Sequence, residues 1–168
     1  KGIQAQRVDS REIFITKTTD NNSIDFEKSE EKTKAHWETL ATKTVAIVTG
    51  YIASDANGNT TTLGRNGSNF SATLLANFLD ASEVQNWTNI DGLYTADPSL
   101  VKNAIRIQSL TYKEANELAQ FGANILHGKT ILPLIEKQIP LIIKNSFKPQ
   151  HPGTVINSTG LGKGIKAV

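Results

Sequence analysis

The chain has no cysteine and no methionine. The first absence rules out a disulfide framework and any thiolate metal site. Histidine is scarce as well: His36, His127 and His151 lie far apart and offer no metal-ligand spacing. Charge of one sign is lacking, since 18 Lys and Arg face 16 Asp and Glu for a net charge of +2. The basic residues are scattered, which excludes a basic stripe for nucleic acid and a basic amphipathic helix for a membrane surface. Long apolar runs are missing too. The runs at 45–48 and 139–143 fall far below the ~20 residues of a spanning helix, and no signal-peptide pattern opens the chain. These absences suit a cytoplasmic protein. The missing methionine, together with a start at Lys1-Gly2, leads us to expect a segment excised from a longer protein.

What is present suits a globular chain: 38% apolar and 20% charged residues over 168 positions, enough to bury one substantial core as one domain. Glu12-Ile-Phe-Ile-Thr16 reads as a short strand after a polar entry loop. A helical pattern covers 29–41, with Trp37 as a packing residue. Val45-Ala-Ile-Val-Thr-Gly-Tyr-Ile-Ala53 is apolar on both parities, as in a strand covered on both faces. Asn57-Gly58 signals a hairpin turn. Further on, a helix is expected over 71–80, a strand over 83–90 and a polar loop over 91–98. Thr111 and Glu114 form a capping box for a helix to about Gln120, ended by Gly122. A helix follows over 130–137, where Pro133 is tolerable only in the first turn, and strands follow over 140–146 and 153–156. Strands alternating with helices predict an α/β fold with a largely parallel sheet. No internal repeat is visible, and residues 157–164 have the composition of a linker.

One stretch concentrates chemistry: Thr60-Thr-Thr-Leu-Gly-Arg-Asn-Gly-Ser-Asn-Phe-Ser71. Gly64 and Gly67 allow backbone angles and close approaches closed to other residues. Arg65 carries a fixed fork of donors for a carboxylate or phosphate. Ser68 is placed to cap the following helix, whose first N–H groups and positive dipole end favour an anion. An ordinary strand–helix loop rich in small residues is the plain alternative. Ligands of such sheets bind outside the carboxyl ends of strands, so this loop and the Asp91 loop are expected to be two sides of one cleft.

Taken together, the motifs resemble the aspartate kinases of the amino acid kinase family. They are Val48-Thr-Gly-Tyr-Ile52, Thr61-Thr-Leu-Gly-Arg-Asn-Gly-Ser68, Trp87-Thr-Asn-Ile-Asp-Gly-Leu-Tyr-Thr-Ala-Asp-Pro98, Phe121-Gly-Ala123 with Leu126-His127, and Pro152-Gly-Thr-Val-Ile156. The Asn66 variant of the loop is most similar to the kinase half of bifunctional aspartokinase–homoserine dehydrogenases. The resemblance implies a three-layer α/β/α sandwich of the amino acid kinase, or carbamate kinase-like, fold. It implies a C-terminal, nucleotide-binding part over 1–156 and a linker over 157–168 into an ACT regulatory region. The family's N-terminal Lys-Phe-Gly-Gly phosphate loop, its catalytic lysine and its acid for the substrate amino group have no counterpart here, so the segment alone is expected to be inactive.

By the same resemblance the parent enzyme phosphorylates the side-chain carboxylate of L-aspartate with ATP to give 4-phospho-L-aspartate. Arg65, Asn66, Gly67 and Ser68 would seat aspartate. Thr88, Asn89, Tyr94, Asp97, Ser99 and Asn124 would form the ATP side. Trp87 is expected to pack under its strand, and Asp97 is equally readable as a turn-forming residue before proline. Asn69, Asn89, Ser99 and Asn124 replace charged residues of the family pattern, read here as compensated changes within one subfamily. Mg²⁺ is expected with ATP and held mostly by phosphates and water. NADP would belong only to a fused dehydrogenase domain outside this segment, and the full-length enzyme is expected to be a homo-oligomer. The alternatives are a non-catalytic nucleotide- or aspartate-binding module, or another amino acid kinase acting on glutamate or a nucleotide.

Overall fold

The computed structural model describes residues 2–17, 20–120 and 128–160. The chain divides into two compact units, Lys1–Asp80 and Ala81–Val168.

In the first unit β1 (Ala5–Val8) leads into a short 3-10 helix, Ser10–Glu12. The Asp9 side chain caps that helix by accepting from the Arg11 N–H. The strand expected from Glu12 is therefore displaced. Ile13 and Phe14 are buried in a bend, and regular strand begins at β2 (Thr16–Lys17), which pairs antiparallel with β3 (Asp20–Ile24). Helix α1 (Phe26–Glu38) starts three residues before the expected position because Asp25 caps it, accepting from the Lys28 N–H at 3.3 Å. Ser29 turns inward to bond both the N–H and the carbonyl of Ile15.

The long apolar run is not one covered strand. It is β4 (Val45–Val48), parallel to β1, then a break at 49–51, then β5 (Ile52–Ser54). Ala46 and Val48 pack against the core, whereas Val45 and Ile47 are 49% and 59% exposed. The hairpin signal is borne out: β5 pairs antiparallel with β6 (Thr60–Thr62) across a loop in which Gly58 has φ +83°. The Asp55 carboxylate accepts from the Asn57 and Asn59 N–H groups inside that loop. Helix α2 (Gly67–Phe78) presents Phe70, Leu74 and Phe78 on one stripe to a core of Val8, Ile13, Phe14, Ala53 and Leu63. Trp37 packs on this core as expected. The Phe26 ring meets Phe78 edge-on with centroids 4.8 Å apart.

The second unit is built on β7 (Val84–Thr88), β8 (Ser109–Thr111), β9 (Leu141–Asn145) and β10 (Thr154–Asn157), in sheet order β7-β9-β10-β8. The β7–β9 and β8–β10 pairs are parallel and β9–β10 is antiparallel. The capping box forms as read: Glu114 N–H donates to Thr111 Oγ1 at 3.1 Å, and Thr111 N–H donates to Glu114 Oε2 at 2.7 Å, at the start of α3 (Tyr112–Gln120). Helix α4 (Gly128–Glu136) starts earlier than expected, which puts Pro133 in its second turn rather than its first. Gly122 lies outside the described residues. Trp87 corrects an expectation, being 45% exposed on β7 with Lys144 Nζ 5.2 Å from its ring centre instead of packed beneath the strand.

Candidate functional site

The Arg65 loop leaves β6 through Leu63, which is fully buried and fixes the loop's base. Gly64 at φ +72° and Asn66 at φ +57° turn the chain into α2. Asn66, not Ser68, is the N-cap, and its side chain makes no capping bond. Ser68 lies inside the first turn, one residue past Gly67. The expected serine cap is thus replaced by a left-handed backbone, a conformation asparagine tolerates better than most residues. The helix entry is closed by Gly67 N–H to Gly64 O at 3.0 Å and Phe70 N–H to Asn66 O at 3.0 Å. The N–H groups of Ser68 and Asn69 find no acceptor among the described residues.

Arg65 is exposed and, among the described residues, has neither an ion-pair partner nor a hydrogen bond. Its guanidinium, the open N–H groups at the α2 start and the exposed Ser68 hydroxyl are donors of the kind a carboxylate takes. A second turn stands against these donors. An added Cβ on Gly50 would lie 3.1 Å from Ser68 Cα, and one on Gly67 would lie 2.8 Å from Tyr51 Cδ2. From the sequence Thr49-Gly50-Tyr51 reads as part of a motif and as the middle of one strand, which hides its role as a wall beside the loop. Nor did the sequence reading find the brace behind it. Asp9 is buried and takes Arg11 Nε and the terminal guanidinium nitrogen on its two oxygens at 3.0 and 2.6 Å. Arg11 also donates to Thr60 Oγ1 at 3.2 Å, at the start of β6. The Arg11 side chain and backbone N–H hold the Asp9 carboxyl down to about 2.

In the second unit the residues expected around the nucleotide follow β7. Thr88 ends the strand and is half-buried, with its hydroxyl 3.3 Å from Asn89 Oδ1; Asn89 is exposed. Asp91 is held by Lys148 Nζ at 2.8 Å and Asn145 Nδ2 at 2.6 Å. The Lys148 ammonium, then Asn145, keep its carboxyl below the usual range. Tyr94 is half-buried, and its backbone pairs with that of Arg106 in an isolated antiparallel bridge across the loop. Gly92 has φ +133°, and a Cβ there would meet Thr154 Oγ1 at 2.5 Å, so only glycine fits. Asp97 takes the turn-forming role: its Oδ1 accepts from the Ser99 hydroxyl at 2.6 Å and the Ser99 N–H at 2.8 Å. These bonds hold its carboxyl below the ordinary carboxylate value. Asn124, with Phe121-Gly-Ala123 and Leu126-His127, lies outside the described residues. Among the described residues no group of three or more acidic or histidine side chains could hold a metal ion. No helix among them is long and apolar enough to cross a membrane.

A model of the amino acid kinase family matches residues 1–145, and the chain belongs to that family. Within it the similarity runs to aspartokinases. The chain is 41% identical over 156 residues to the chloroplastic bifunctional aspartokinase/homoserine dehydrogenase 2 of Arabidopsis thaliana, covering 92% of this chain and 17% of the relative. It is 38% identical over 163 residues to lysine-sensitive aspartokinase 3 of Escherichia coli, covering 93% of this chain and 35% of the relative. A crystal structure of E. coli aspartokinase III in complex with aspartate and ADP matches with a TM-score of 0.86 at 37% identity, over 93% of this chain and 35% of that one. UMP kinase from Bacillus anthracis shares the fold alone, with a TM-score of 0.59 at 15% identity. The α/β fold with mostly parallel strands is thus the amino acid kinase fold. The chain spans 17% to 35% of the length of the two aspartokinase relatives.

Proposed function

We propose that this chain is the C-terminal part of an aspartate kinase catalytic domain, with residues 157–168 leading towards a regulatory region. The reaction is transfer of the γ-phosphoryl group of ATP to the side-chain carboxylate of L-aspartate. A carboxylate oxygen forms a bond to the γ-phosphorus, the bond to the bridging oxygen breaks, and ADP leaves. Such transfer relies on alignment and charge neutralisation more than on covalent help from the protein. One observation carries the reading: the structural match extends over nearly the whole chain to an aspartokinase solved with aspartate and ADP.

In this reading Arg65, Asn66, Gly67 and Ser68 seat aspartate. The unpartnered Arg65 guanidinium and the open N–H groups beside it are what a carboxylate needs. Thr88, Asn89, Tyr94, Asp97, Ser99 and Asn124 serve the nucleotide, which brings Mg²⁺ with it. The chain alone turns over no ATP, because a kinase needs the phosphate loop that this sequence lacks. The full-length enzyme is a homo-oligomer, and NADP belongs to a dehydrogenase domain if one is fused. A cytoplasmic setting suits the composition, although the plant relatives carry a chloroplastic location in their names.

The second reading, a ligand-binding module without turnover, draws on Asp97 being tied to Ser99 where the family pattern has a cation. A coupled assay of ADP release by the full-length protein separates the two. Turnover that requires L-aspartate, and is not supported by L-glutamate or UMP, supports the kinase. Ligand binding without ADP release supports the module.

A further inference from the structure

Two features of the first unit stay unused by this reading: the left-handed backbone of Tyr51 and the buried hydroxyl of Ser71. Tyr51 holds φ at +75°. A non-glycine residue keeps such a conformation only where its surroundings over-determine it. Here both of its peptide groups are clamped. The Tyr51 N–H donates to Ser71 Oγ at 3.0 Å, and the Tyr51 carbonyl accepts from the Leu63 N–H at 2.8 Å. One clamp comes from α2 and the other from the segment that runs into Arg65.

Ser71 is suited to its half of the clamp. Its hydroxyl donates to the Gly67 carbonyl one turn back at 2.9 Å, which leaves its lone pairs to accept from Tyr51. The residue is only 3% exposed, so no water competes freely for that acceptor. From the opposite side Thr49 Oγ1 accepts from the Ser10 N–H at 2.9 Å, and Ser10 Oγ donates to the Ile52 carbonyl at 2.7 Å. The turn is thus held at both ends, and it is the turn that abuts Gly67 and Ser68.

We propose that Ser71 is a positioning residue for the carboxylate ligand. It acts by holding Gly50 and Tyr51 against the first turn of α2, and so sets the width of the space beside Arg65 and the open N–H groups. The proposal rests on the reading of the Arg65 loop as the aspartate site.

Steady-state kinetics of the full-length protein test it. In Ser71→Ala the Tyr51 N–H loses its acceptor. KM for L-aspartate then rises about tenfold, while kcat and KM for ATP stay within about twofold of wild type. Ser71→Thr keeps the hydroxyl and restores KM. Gly50→Ala crowds Ser68 without touching Ser71, raises KM for aspartate in the same selective way, and carries the test should Ser71→Ala fail to fold. An unchanged KM for aspartate, a parallel rise in both KM values, or a threonine variant as impaired as alanine overturns the proposal. A wild-type protein without aspartate-dependent ADP release overturns the underlying reading, and the proposal with it.

Discussion

The two loops that carry the family motifs are built in opposite ways. The Arg65 loop is held from outside itself: Tyr51 bonds Leu63 and Ser71 on either side of it, and Arg11 bonds Thr60 at the start of the strand that leads into it. Several of its own donors are left over among the described residues, the Arg65 guanidinium and the Ser68 and Asn69 N–H groups. The loop after β7 ties off many of its polar groups, some of them locally. Asp97 is closed on Ser99, and Ile105 N–H donates to Thr95 Oγ1 at 3.0 Å, although Asp91 reaches Asn145 and Lys148. A binding surface is readiest where support is borrowed from elsewhere and the loop's own donors stay free. A loop that satisfies itself keeps its shape without a ligand but has fewer groups to offer one.

The comparison can be broken at several points. Phe78→Ala removes a fully buried support of α2, where the ring packs against Phe14 and Phe26. It should cost about 3–5 kcal/mol in urea unfolding. Arg65→Ala should lower kcat/KM for aspartate about 100-fold by removing a charge-assisted bond, with KM for ATP unchanged in the same assay. Thr111→Ala breaks the capping box of α3 in the second unit and should cost about 1 kcal/mol in chemical denaturation, with no effect on aspartate binding.

The smallest effect concerns the brace at Asp9. The Arg11 guanidinium holds the folded-state Asp9 carboxyl down to about 2, below the ordinary carboxylate value of 3.8. The stability it contributes is full above the unfolded value and is lost as pH falls through the folded one. Between about pH 4 and pH 2 wild-type stability should therefore drop more steeply than that of Asp9→Asn, as measured by unfolding midpoints at each pH. Equal slopes would show that the Arg11 bond is not maintained in solution.

Features decided by near neighbours were legible in the sequence. Asn57-Gly58 gave its hairpin, and Thr111 with Glu114 gave a capping box, because each is settled within a few residues. The family motifs located both loops for the same reason. What could not be read depended on partners far along the chain. Residues 45–53 look like one strand because periodicity is blind to the Leu63 and Ser71 bonds that hold Tyr51 left-handed. Ser68 looks like a cap because local preference ranks serine highly, while the turn against Gly50 and Tyr51 places Asn66 there instead. Trp87 reads as core, yet its face of β7 is uncovered and the ring lies under the Lys144 ammonium.

The central claim is that carboxylate and nucleotide are read by separate sets of residues, Arg65 with its loop in one unit and Tyr94 with its loop in the other. Calorimetric titration of the full-length protein with L-aspartate and, separately, with MgADP tests it most directly. We expect Arg65→Ala to lose aspartate binding and keep MgADP, and Tyr94→Ala to do the reverse. Loss of both ligands in either variant, or binding of neither by the wild-type protein, would contradict the account.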